Sequence, residues 1–201
     1  QKRVFNSLSY SNNLNKILAD KINLNFNIQN IEESRHKQKF IDNFSTRRIE
    51  KLNIFDSKIS LHKNIRNWQI DYGFSSRFEL LSSDAYNEDN FSNTSFATSR
   101  YPDNGSEVLN FSTFILSEYR ANNKLKWFNA VRADYEKIEA RFSEISSVFP
   151  MGTDLSLLTK NWNIAASSNL FYSVLENNFI SFSIYNSFRN PNIDDIGKVF
   201  S

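Results

Sequence analysis

The sequence predicts an all-β fold, an antiparallel up-and-down meander of about eight long strands. Three observations carry this. Apolar residues recur at every second position over long stretches, and no stretch sustains a 3.6-residue apolar stripe. The connections alternate between short, Asn-rich segments and long, polar, irregular ones. The strands also exceed the roughly five or six residues usual in soluble sheets. Short turns at one end and long loops at the other form the pattern of an outer-membrane barrel, whose strands need about 9–11 tilted residues to span.

The first strand is expected over residues 2–10, "KRVFNSLSY". The second, 16–29, contains "KINLNFNIQ": Ile22, Leu24, Phe26 and Ile28 on one face, Asn23, Asn25, Asn27 and Gln29 on the other. In the third, 47–62, parity slips between Ile54 and Ile59, which predicts a bulge. The fourth, 67–81, places Trp68, Ile70, Tyr72, Phe74, Phe78 and Leu80 opposite Gln69, Asp71, Arg77 and Glu79. The fifth, 108–120, has Phe111, Ile115 and Tyr119 on one face but Phe114 and Leu116 on the other, so its faces stay unassigned, as do those of the third. The sixth, seventh and eighth are expected at 125–142, 162–174 and 179–188. Short connections fall at 11–15, 63–66, 121–124 and 176–178, and long ones at 30–46, 82–107 and 143–161. Trp68 and Trp127 follow short turns, where an interfacial aromatic girdle would lie, and Trp162 is expected at the opposite rim.

Composition bounds the partners. The net charge is +2 with both signs interspersed, which is no footprint for nucleic acid. Mean hydropathy is −0.51, which a barrel with every second residue polar also has. Aromatics are the deviation, with 19 Phe, 8 Tyr and 3 Trp. No apolar run approaches the ~20 residues of a membrane helix. The chain has no cysteine, so thiol chemistry and disulfides are excluded. The start, "QKRVFNSLSY", has no initiator Met and no signal-like stretch, and the end, "GKVFS", closes no element. Residues 1–201 are therefore expected to be a fragment of a longer chain.

Candidate chemistry is sparse. His36 lies in the long loop segment "EESRHKQK" and His62 beside a short turn. No His pair, Cys pair or acidic cluster frames a metal site, and no nucleophile-elbow context exists, so no catalytic residue is expected. Arg132 and Asp134 share one face of the sixth strand and are candidate lumenal charges.

The end of the chain differs. In "SFRNPNIDDIGKVF", residues 187–200, Pro191 stops the eighth strand because it cannot donate to the ladder. This stretch resembles the Phe-Arg-Ala-Pro box of TonB-dependent outer-membrane receptors. The match lies at Phe188, Arg189, Pro191, Asn192, Asp194, Asp195, Gly197 and Lys198, with Asn190 departing from the usual small residue. "RYPDNGS" (100–106) resembles a segment before a descending strand, and "NAVRADY" (129–135) a strand of the same family.

The resemblance implies a barrel of 22 strands holding an N-terminal plug, of which this chain supplies about eight strands, without the plug. It implies TonB-dependent uptake at the outer membrane of a Gram-negative cell. The energy-transducing complex acts through the plug. The barrel meets lipid and lipopolysaccharide. The cargo is a ferric siderophore or haem, and the box itself leans towards haem, whose ligating His is expected a little beyond it. No cofactor is implied. The alternatives are a passive porin-like barrel and a soluble all-β carbohydrate-binding module.

Overall fold

In the computed structural model the described residues are 1–14, 16–38, 44–89, 94–96, 101–142, 155–175 and 178–196. They form one antiparallel sheet. Its strands are β1 (Lys2–Asn13), β2 (Lys21–Gln38), β3 (Phe44–Ile65), β4 (Trp68–Asp89), β5 (Thr94–Phe96), β6 (Ser106–Arg120), β7 (Leu125–Phe142), β8 (Leu155–Leu175) and β9 (Asn178–Tyr185). The order is β1-β2-β3-β4-β6-β7-β8-β9, with the short β5 beside β4. A single helical turn, α1 (Ile193–Ile196), ends the described chain. The meander is thus present, and it is open: β1 and β9 are its edges.

Residues directly opposite in adjacent strands share a face, so each register row can be followed across the sheet. One row reads Leu8, Phe26, Ser57, Ser76, Phe111, Tyr135, Trp162, and its neighbour on the same face reads Tyr10, Leu24, Ile59, Phe74, Thr113, Ala133, Ile164. Shifted by one residue, the row on the other face reads Ser9, Asn25, Lys58, Ser75, Ser112, Asp134, Asn163. One face is apolar and exposed; the other is polar and nonetheless carries the buried strand residues, among them Ile54, Val108, Ile138, Ala140, Ser112 and Asp134. This inverts a soluble sandwich, whose apolar face is the covered one.

The apolar face has limited height. From Ile70 to Leu80 on β4 is ten residue steps, ~33 Å along the strand and ~23 Å at a tilt of ~45°. Towards that end the same face turns polar on neighbouring strands: Asn30 opposite Asn53 in the row of Leu80, Glu32 opposite Lys51, and Lys137 opposite Lys160 on β7 and β8. Near the short turns Trp68, Tyr119 and Trp127 line up in register. The Trp68 and Tyr119 rings lie 4.7 Å apart, and the Trp127 indole N–H donates to Ser168 Oγ at 2.8 Å. Tyr135 and Trp162, also 4.7 Å apart, mark the other edge of the stripe on β7 and β8.

Several expected bounds shift. β2 begins at Lys21, because residues 16–20 form a turn docked on β3: Ala19 is buried, the Asp20 N–H donates to the His62 carbonyl at 2.8 Å, and Asp20 accepts from Lys63 Nζ at 2.6 Å. The expected bulge in β3 is absent; both of its ladders run without a shift. Ile54 breaks parity because it is an inward apolar residue, buried on the polar face. β2, β3 and β4 extend far into the expected long loops, so His36 lies on a strand. β8 begins at Leu155, which places Trp162 well inside it. β9 ends at Tyr185, before Phe188. The faces of β6 resolve by register: Phe111, Ile115 and Tyr119 are on the apolar side, and Phe114 and Leu116 on the polar side.

One glycine is required by packing. A Cβ at Gly73 would sit 2.1 Å from the Ile59 carbonyl oxygen and 3.0 Å from the Phe114 ring. Phe114 covers this gap on the polar face, and the Lys58 ammonium lies 5.0 Å from its ring centroid.

Candidate functional site

The candidate site is the polar face and the terminal segment folded onto it. β9 is stopped by Asn186. Its amide accepts from the Ala166 N–H at 2.7 Å and donates to the Ile164 carbonyl at 3.0 Å, occupying the backbone groups that would pair the next residues. The chain then turns in over the sheet. Asn190 meets the polar face: Asn163 Nδ2 donates to its side-chain oxygen.

Residues 189–196 tie themselves into a knot. The Asp195 N–H donates to Asn192 Oδ1 at 3.0 Å, and the Asn192 N–H donates to Asp195 Oδ2 at 2.9 Å. This is a reciprocal capping box around the first turn of α1, satisfying two amides that the helix leaves free. Arg189 then grips the same carboxylate through Nη2 at 2.8 and 3.0 Å. Pro191 precedes the cap and is half-buried, as is Phe188. The product of the knot is the burial of Ile193 against Val108 and Ile138, with Leu81 and Tyr101 beside them. The side chain of Asp194 lies outside what is described, and Gly197 and Lys198 lie outside the described residues.

Arg132 and Asp134 are brought together with a residue the sequence reading missed, Ser112. Asp134 is 1% exposed. Its carboxylate accepts from Arg132 Nε at 2.8 Å and Nη2 at 2.7 Å, and from the Ser112 hydroxyl at 2.5 Å. Arg132 Nη2 also donates to Ser112 Oγ at 2.9 Å. Ser112 is placed by register, directly opposite Asp134, a relation one sequence does not display. Among the described residues no group of acidic or histidine side chains is placed to hold a metal ion. His36 pairs with Ser34 at 3.0 Å and His62 with Asp71 at 2.9 Å.

At the other end of the sheet, the pKa of Asp20 is held below its ordinary value. The Lys63 ammonium bonds it, and the Asn64 N–H donates to it at 2.8 Å.

No protein family model and no curated protein matches the chain. Among solved structures, the copper transporter OprC matches with a TM-score of 0.77 at 7% identity, over 94% of this chain and 30% of that one. The siderophore receptor PiuA from Acinetobacter baumannii matches with a TM-score of 0.55 at 11% identity, over 90% of this chain and 31% of that one. The fold of this chain is that of a segment of these two structures. This chain spans about a third of either neighbour. The exposed apolar rows form one surface of the sheet, and the terminal knot sits on the other.

Proposed function

We propose that the chain is a run of wall strands from a TonB-dependent receptor in a Gram-negative outer membrane. The apolar face meets lipid acyl chains, with the polar strand extensions on the long-loop side meeting lipopolysaccharide. The polar face lines a lumen that a plug domain fills, and the plug carries the coupling to TonB. The observation that carries this reading is the row pattern: apolar rows limited to a ~23 Å band and polar rows on the inside.

The cargo class that fits best is a metal-bearing solute, a ferric siderophore or haem. The terminal box supports haem through its resemblance; the siderophore receptor supports the chelate. The named box residues serve this role by shaping the knot at the long-loop end, where a solute enters. Arg132 and Asp134 stiffen the inner wall. The reading gives the chain no catalytic part.

The test is growth of cells producing the full-length protein under iron starvation, with haem or a ferric siderophore as sole iron source. Growth on one of them that vanishes when TonB is deleted supports the proposal. Solute entry that persists without TonB makes the barrel passive and overturns it.

A further inference from the structure

Under the knot, on the polar face, is a cavity of about 370 Å³. Its walls include Leu52, Tyr101 and Ile193, and three carboxylates reach it: Glu33, Glu50 and Glu79. Two of these are already neutralised. Arg35 Nε lies 2.6 Å from Glu33, and Arg77 Nε lies 2.5 Å from Glu79. Glu50 is different. It is 8% exposed, and its Oε1 is among the buried side-chain oxygens without a hydrogen-bond partner in the described structure. It also stands directly opposite Glu33 in the register, a like-charge pairing that destabilises a sheet. On its other side is Ser83, 1% exposed, whose hydroxyl is likewise without a partner.

A carboxylate buried without a donor is costly, and a cationic donor is the group that removes the cost. The cavity is in the size range of small-molecule pockets and pairs one needy charge with an apolar wall. We infer that this cavity binds an organic monocation, an amidinium, guanidinium or ammonium group on an apolar body. The charged end sits on Glu50, and the body lies against Leu52, Tyr101 and Ile193. A planar N–H fork suits a carboxylate in two-point contact. The site is defined by binding and does not depend on TonB-driven uptake.

The experiment uses the full-length protein in detergent micelles, titrated calorimetrically with benzamidinium and with benzoate, its anionic counterpart of similar shape. Benzamidinium is expected to bind at least about tenfold more tightly than benzoate, and Glu50→Gln to weaken benzamidinium by at least about tenfold, the scale of a hydrogen bond to a charged group. Equal binding of both probes, or unchanged benzamidinium binding to Glu50→Gln, overturns the inference. Folding of the variant is checked by heat-modifiable migration on gels. If it does not fold, the comparison of the two probes on the unaltered protein decides. Because no transport is measured, failure here and failure of the uptake experiment are separate results.

Discussion

The two-faced rows make a quantitative demand on β2. Phe26 is 47% exposed on the apolar face, with Leu8 and Ser57 as its register neighbours. It lies five residues from the start of β2 at Lys21, ~17 Å along the strand and ~12 Å in depth at ~45° tilt, about halfway through a ~25 Å apolar band. A lysine there should cost about 2–4 kcal/mol. Asn27 is the next residue and points to the polar face. It accepts from the Ser7 hydroxyl at 2.7 Å and stands opposite Asp56. Asn27→Lys loses an exposed hydrogen bond and gains a partner of opposite charge, so its net cost should stay within about 1 kcal/mol. The assay is urea titration of the full-length protein refolding into lipid vesicles, comparing midpoints at constant slope. Equal costs at the two positions, or a larger one at Asn27, would refute the assignment of faces.

Gly73→Val should destabilise by about 1–3 kcal/mol in the same titration, since the new side chain meets the Ile59 carbonyl; an unchanged midpoint would show that β3 and β4 can separate there. Asn192→Ala should remove half of the capping box at about 1 kcal/mol and speed amide exchange at Asp195, with no change at β7. Asp134→Ala leaves a buried serine hydroxyl and Arg132 without their shared acceptor. Arg132 is 55% exposed and can turn to water, so the expected loss is about 1–3 kcal/mol, mostly from Ser112, and a stabilised variant would contradict it. The Asp20 carboxylate titrates below its unfolded value, so its support of the first turn is complete above the ordinary carboxylate pKa and is lost as pH falls through the lowered one. The protection factor of the Asn64 amide should therefore fall on acidification below about pH 4, and Asp20→Asn should flatten that dependence.

The alternation of "KINLNFNIQ" was enough to give β2 its two faces, because an apolar face and a polar face put different side chains on alternate residues. That signal stops where neither face is consistently apolar. Beyond Asn30 the sequence "NIEESRHKQ" has no parity, yet the ladder with β3 continues to Gln38 opposite Ser45. Backbone pairing there needs no apolar face, so strand ends of this kind leave no trace in side-chain pattern. The same limit hid Ile54, an apolar residue on the polar face, which imitated a bulge. The candidate site was half legible. Arg132 and Asp134 alternate within one strand, but Ser112 joins them only through register. The capping residues Asn192 and Asp195 have cap spacing in the sequence; that they serve to bury Ile193 on a polar surface is a tertiary fact.

Asn190, where the terminal segment departs from the box it resembles, has a partner in this sheet. Asn163 stands on a polar row of β8, and its amide donates to the Asn190 side-chain oxygen. A small apolar residue at 190 would leave that amide facing a methyl group, and a half-buried polar group without a partner is costly. The departure is therefore coupled to the wall beneath it. Asn190 anchors the segment, the Asn192–Asp195 cap turns it, and Ile193 seals it, all at the long-loop end of the sheet. A single Asn190→Ala substitution should accordingly loosen the segment, read as faster amide exchange at Asp195, because it removes the acceptor that Asn163 uses; unchanged exchange would refute this anchoring role.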